Sequence, residues 1–184
     1  VYIVPHPEKD ENNYKWNWNT PLLVSPHNPK RLYYAAEYLF RSDDRGDSWR
    51  KISPDLTRQI DRNKLKVMGR VWSVDAIAKN DSTSMFGSAI MISESELQEG
   101  LIYVGTDDGV LNTTEDGGQS WTQTTRFSGV PDMTYIDDVQ ASLHDKDTVY
   151  AVMENHKRGD EQPYVLKSTN KGNPWRSITG NLPK

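Results

Sequence analysis

Three stretches decide the reading of this chain: RSDDRGDSW (residues 41–49), NTTEDGGQSW (112–121) and KSTNKGNPW (167–175). Aligned on the tryptophan they share one frame. It runs Ser42-x-Asp44-x-Gly46-x-Ser48-Trp49, then Thr114-x-Asp116-x-Gly118-x-Ser120-Trp121, then Ser168-x-Asn170-x-Gly172-x-Pro174-Trp175. Adjacent carboxylates beside a tryptophan suggest a metal or sugar site, but a pattern used three times in register points to architecture. An Asp or Asn side chain can accept hydrogen bonds from nearby backbone amides and hold a turn closed. The glycine supplies a positive φ, and the tryptophan then opens the next strand. Asn170 keeps that hydrogen-bonding role without the charge, which suits a turn and would weaken a metal ligand.

A second marker precedes each box: SPHNPKRLY (25–33), SELQEGLIY (95–103) and SLHDKDTVY (142–150), each with a serine eight residues before a tyrosine. Between the markers lie short runs rich in β-branched and aromatic residues. LYYAA, LIYVGT and VYAVME come first, then YLFRS, VLNTT and YVLKS, then WRKIS, WTQTT and WRSIT after the box. With the strand before each marker, the unit is four short antiparallel strands, the signature of a β-propeller blade. The fold expected is therefore all-β, a segment of a propeller. The repeat tyrosines Tyr33, Tyr103 and Tyr150 are 70 and 47 residues apart. A blade takes about 40–50 residues, so the first interval holds an insertion. The expected division is a blade over about 20–56, an insertion over 57–83, and blades over 84–125 and 130–180.

Composition bounds the rest. The 184 residues are 26% charged and 35% hydrophobic but include six Trp and nine Tyr, which need a core to bury them. A net charge of −4 without a basic cluster gives no footprint for nucleic acid. The absence of cysteine removes disulfides, thiolate chemistry and zinc–thiolate sites. No apolar run reaches the roughly 18 residues of a membrane span. No signal peptide is read in this segment, and both ends read as interior points of a longer polypeptide.

The boxes, together with WNWNTPLLVSPHNPKRLYYAAEYLFRSDDRGDSWRKISPDLT (16–57) and the corresponding stretches around Trp121 and Trp175, resemble the Asp-box, or BNR, repeats. These occur in secreted bacterial glycosyl-hydrolase-like and sortilin (VPS10)-like proteins. The resemblance implies a propeller of seven or more blades, a secreted, periplasmic or cell-surface location, and binding on the face opposite the box turns. It also implies that further blades, of the same or another polypeptide, complete the ring. The Phe/Tyr-Arg-Ile-Pro motif of sialidases is absent, so no sialidase residue is carried over.

Three readings of function follow. The first is a scaffold that binds a glycan or peptide through loop aromatics. In NNYKWNWNT (12–20) alternation would place Tyr14, Trp16 and Trp18 on one face of an extended segment, or pack them under a neighbouring blade. Trp72, in the insertion, is expected to be exposed, and His156 sits in the long hairpin ENHKRGDEQP (154–163). The second is a xyloglucanase-like glycoside hydrolase, which needs two carboxylates about 6.5–9.5 Å apart across a cleft if it inverts. Asp138, Asp75 and Glu94 are candidates for one of them, the partner lying outside this chain. Asp137 and Asp138 are adjacent on a strand, so at most one would face the axis. The third is a purely structural propeller for protein assembly. No cofactor and no metal site are expected: His27 and His144 occupy the same turn position in two repeats, and GTDDG (105–109) reads as a hairpin turn.

Overall fold

The computed structural model describes residues 3–77, 79 and 86–183, so residues 78 and 80–83 of the expected insertion lie outside the described residues. The architecture is three four-stranded antiparallel sheets, each a meander in chain order. The first holds β1 (Leu22–Val24), β2 (Leu32–Ala35), β3 (Leu39–Ser42) and β4 (Arg50–Lys51). The second holds β5 (Ala89–Glu94), β6 (Ile102–Thr106), β7 (Leu111–Thr114) and β8 (Thr122–Thr124). The third holds β9 (Tyr135–Ala141), β10 (Val149–Asn155), β11 (Asp160–Ser168) and β12 (Arg176–Ser177). Two single 3₁₀ turns, Arg62–Lys64 and His156–Arg158, are the helical structure among the described residues.

The repeat tyrosine occupies the same register in each sheet. Tyr33 pairs with Leu23 and Arg41, Tyr103 with Ser93 and Thr113, and Tyr150 with Gln140 and Lys167. Side chains alternate across a strand, so the sheets stack through one set of faces. Tyr33, Ala35 and Leu39 are buried with Ile92, Ile102 and Val104 between the first and second sheets. Tyr103 and Leu111 are buried with Ile136, Val139, Val149 and Met153 between the second and third. Gly105 is required at that second junction: a Cβ there would stand 2.6 Å from Ile136 Cγ2. A third cluster, Tyr14, Ala36 and Phe40 with Trp16 and Trp49 against it, covers the far side of the first sheet.

The box turns close as hydrogen-bonded loops. Asp44 Oδ1 accepts from the Ser48 amide at 2.9 Å, and Asp44 Oδ2 accepts from the Ser48 hydroxyl at 2.6 Å. Asp116 repeats this with Ser120 at 2.9 and 2.5 Å. Ser42, Thr114 and Ser168 each accept from the amide of the box glycine, at 2.8, 2.9 and 3.0 Å. At the third box the Asn170 amide nitrogen donates to the Asn173 carbonyl instead. The hydroxyl and amide donors hold both Asp44 and Asp116 down to about 2. The indoles reach backwards: Trp49 Nε1 donates to the Ile3 carbonyl at 3.0 Å and Trp121 Nε1 to the Ile52 carbonyl at 3.1 Å. Trp175 is buried against Phe127, and its Nε1 has no acceptor among the described residues.

Candidate functional site

The strand directions create two ends. Each box follows the third strand of its sheet at one end. At the other lie the segments leading into β1, β5 and β9 and the β2–β3, β6–β7 and β10–β11 turns. At this second end, opposite the boxes, a cleft of about 570 Å³ is lined by segments from all three sheets. Hollows of about 730 and 650 Å³ also flank the first sheet, around Tyr14 and Lys51. Their linings come from the first sheet and the chain leading into it, so the cleft is where the repeats converge.

One wall is Asn17, Trp18 and Asn19, just before β1. The floor is Phe86, before β5, and Asp107, in the β6–β7 turn. Tyr135, at the start of β9, and Glu154, at the end of β10, face them, and the Lys157–Arg158 turn forms the rim. Trp18 is 78% exposed. The Asn19 amide donates to Asn17 Oδ1 at 3.0 Å and the Thr20 hydroxyl to the Asn17 carbonyl at 2.5 Å, which turns the chain at Trp18. The expected single aromatic face is therefore split. Tyr14 and Trp16 pack on Phe40 and Tyr34 with centroids 4.8 and 5.1 Å apart, while Trp18 projects from the turn into the cleft.

Asp107 is the central ionisable group. Its Oδ1 accepts from the amides of Gly87 and Ser88 at 2.9 Å each, and Oδ2 from the Ser88 hydroxyl at 3.0 Å. The Asn17 side-chain amide donates to that same hydroxyl oxygen at 3.1 Å, which ties the Trp18 turn to the floor. Burial raises the Asp107 carboxyl to about 6, with the Asp108 charge adding to the rise and the amide donors opposing it. Burial likewise raises neighbouring Asp108, against donation from the Thr106 hydroxyl at 2.6 Å and the Arg58 amide at 2.7 Å. Burial first, then the negative charges of Asp107, Asp137 and Glu154, push the Tyr135 phenol up to about 12. Lys157 Nζ stands 4.6 Å from the Tyr135 ring centroid. The floor is braced from below by Arg58, which donates to the carbonyls of Asp108 and Thr125 and to Asp132 Oδ1, at 2.8, 2.7 and 2.8 Å.

The other residues singled out from sequence lie elsewhere. Asp137 is the extra residue of a β-bulge: Val152 pairs with Asp138 and Met153 with Ile136. Asp137 is exposed, and Asp138 lies half-buried on the face of the sheet that also carries its β10 partner Val152. Asp75 is exposed in the segment after Trp72. Trp72 itself is half-buried, its indole donating to the Val67 carbonyl at 2.9 Å and its ring covered by the Arg70 guanidinium 3.4 Å away. His156 is exposed beside the rim, its Nδ1 paired with Glu154 Oε2. Glu94 is buried between the first two sheets, accepting from the Ser25 and Tyr33 hydroxyls at 2.5 and 3.1 Å. Asp107 and Glu154 are the cleft carboxylates that sequence reasoning passed over. The one available signal was the doubled Asp in GTDDG, where an Asp-Gly turn needs a single acidic residue.

Solved structures share this arrangement. The GH74 xyloglucanase from Xanthomonas campestris matches with a TM-score of 0.57 at 24% identity, over 89% of this chain and 22% of that one. YCF48 from Cyanidioschyzon merolae matches with 0.53 at 12% identity, over 87% and 37%. A YCF48 bound to D1 peptide matches with 0.50 at 14%, over 94% and 44%. The three sheets are propeller blades. The chain spans less than half the length of each of these proteins. No family model and no curated protein matches it. Among the described residues no helix is long and apolar enough to cross a membrane, and no cluster of three or more His, Asp or Glu could hold a metal ion.

Proposed function

We propose that this chain is the ligand-grasping part of an extracytoplasmic Asp-box propeller, and that a glycan or an extended peptide lies in the cleft between Trp18 and Tyr135. The reading includes blades over about 20–56, 84–125 and 130–180, an insertion over 57–83, and further blades that complete the ring. The observation that carries it is the cleft, which Trp18, 78% exposed, lines together with fixed polar groups. Concave sites with aromatic walls and a few convergent polar groups are the usual form of a binding site. Among solved propellers of this fold, one is a xyloglucanase and one holds a peptide, and both ligand classes belong to the proposal. In this reading Trp18 stacks on a sugar ring or an apolar side chain. Asn17, Asn155, Asp107 and Glu154 exchange hydrogen bonds with the ligand. His156 flanks the cleft beside its rim, while Trp16 and Trp72 pack outside it. A titration with an oligosaccharide and peptide panel tests this, Trp18→Ala being expected to abolish whatever binding the native chain shows. Saturable binding that survives Trp18→Ala would contradict it.

One observation favours a second reading, a glycoside hydrolase. Asp107, raised to about 6, shares the cleft with a second carboxylate, Glu154. A carboxyl raised to about 6 keeps a protonated fraction toward neutral pH, and in that form it can protonate a glycosidic oxygen while another carboxylate activates water. Asp107 and Glu154 take the place that Asp138 and Asp75 hold in the sequence-based version. Release of reducing sugar from a polysaccharide panel, lost in both Asp107→Asn and Glu154→Gln, is the outcome it requires.

A further inference from the structure

The third blade carries its inner hairpin further than the other two. β2 and β6 run four and five residues before their turns, whereas β10 runs seven and β11 returns over nine. The extension takes the His156–Arg158 turn out to the cleft, whose rim Lys157 and Arg158 line. The turn is closed by the Gly159 amide, which donates to the His156 carbonyl at 2.9 Å. At the hairpin base Asp160 Oδ2 accepts from the Tyr164 hydroxyl at 2.7 Å and the Asn155 side-chain amide at 3.3 Å. The charges around the cleft are matched unequally. Asp107 has three internal donors on its two oxygens, and Glu154 Oε2 meets both the amide and the Nδ1 of His156. Lys157 and Arg158 are exposed, and among the described residues neither meets a carboxylate. Yet both are held: Lys157 Nζ lies over the Tyr135 ring, and Arg158 Nη1 donates to the Asp132 carbonyl at 3.1 Å. Positioned cations elsewhere are paired, Arg31 with Asp43 at 2.9 Å and Lys171 with Glu115 at 2.5 Å.

We infer that the ligand of the cleft is an acidic glycan, one sugar ring stacking on Trp18 while Lys157 and Arg158 hold its carboxylate or sulfate. The inference rests on the binding cleft proposed above and narrows its ligand. A cation over an aromatic ring is attracted to it and so partly ordered before a ligand arrives. A guanidinium with one N–H committed keeps its other donors in a fixed fork. Hydrogen bonds from such cations to an anion are roughly twice as strong as neutral ones. The indole adds what the cations lack, a large rigid apolar face. Asp107 lies on the floor with its oxygens occupied, so the anionic group points to the rim and the ring hydroxyls point inward. A glycan fits better than an acidic peptide, because a single ring fixes its stacking face and its anionic group relative to each other. In a peptide those groups sit on separate side chains, each of which loses rotamer freedom on binding. The net charge of −4 repels polyanions from the chain as a whole, so an attraction here is local.

The test is a calorimetric titration of the 184-residue chain with four probes. They are an oligogalacturonate, a sulfated chondroitin oligosaccharide, a neutral xyloglucan oligosaccharide and a polyglutamate peptide. At least one of the two acidic glycans is expected to bind about tenfold or more tighter than the neutral one, and to weaken as ionic strength rises. Which of the two binds tells carboxylate from sulfate. Lys157→Gln combined with Arg158→Gln should lower that affinity about tenfold or more. The thermal unfolding midpoint should stay in place, since both side chains are exposed. Trp18→Ala should remove the same binding, which separates the cleft from cations elsewhere on the chain. Equal affinity for acidic and neutral glycans, with Trp18 required, overturns the inference and leaves the binding cleft standing. So does Trp18-dependent binding of the peptide in place of the glycans. Acidic-glycan binding that survives the double substitution overturns the inference, and no binding of any probe overturns it together with the glycan reading of the cleft.

Discussion

Asp107 and the box aspartates respond to pH in opposite senses. The Asp107 carboxyl is raised to about 6, so its contribution to stability is complete below its ordinary range near 4 and is lost as pH rises through 6. Asp107→Asn removes the buried charge while keeping an oxygen for the Gly87 and Ser88 amides. It should therefore match the native protein at pH 4 and exceed it at pH 8 by about 1–3 kcal/mol, as read from denaturant unfolding at both pH values. An equal gap at both would mean that the charge is not what matters. Asp44 and Asp116 are held down to about 2, so their contribution is present above 4 and lost as pH falls through 2. Asp44→Ala should destabilise at pH 7 and converge with the native protein near pH 2, read from the same unfolding curves. Trp18, exposed on its turn, belongs to ligand binding instead. Trp18→Ala should leave stability within about 0.5 kcal/mol, measured by thermal unfolding.

Within the elements, the box turn has the most exacting geometry. Gly117 and Gly118 are adjacent with φ of +70° and +99°, but a Cβ on Gly117 meets nothing within 4 Å, whereas one on Gly118 would lie 2.5 Å from the Ile52 carbonyl oxygen. Gly117→Ala should cost about 1 kcal/mol for its backbone alone. Gly118→Ala should cost more than about 2 kcal/mol, because it also forces apart the blade junction that the Trp121 indole closes. Chemical denaturation of the two single variants separates strain from clash. These turns and strands were legible because each depends on a local pattern that recurs: the box frame, the serine–tyrosine spacing and the apolar alternation. The bulge at Asp137 was not legible, since the neighbouring Ile136 packs against Gly105 on another blade, a contact no local pattern records. The turn at Trp18 was hidden too, because it depends on the Thr20 hydroxyl donating to the Asn17 carbonyl and on the Asn17 side chain reaching Ser88.

Across the whole molecule, sequence periodicity carries the fold further than it carries the site. A blade is specified largely within its own residues. The cleft gathers Trp18 from before the first blade, Asp107 from the second and Glu154 from the third. None of those partnerships has a signature in sequence spacing, which is why Asp138 and Asp75 stood out from sequence while Asp107 read as a turn. The most direct test of the proposed function is a ligand titration followed by the side-chain indole N–H resonances, with Trp18 assigned by Trp18→Phe. A glycan or peptide that binds should shift the Trp18 resonance saturably and leave the hydrogen-bonded indoles of Trp49 and Trp121 in place. Saturable binding that moves other indoles and not Trp18 would contradict the account.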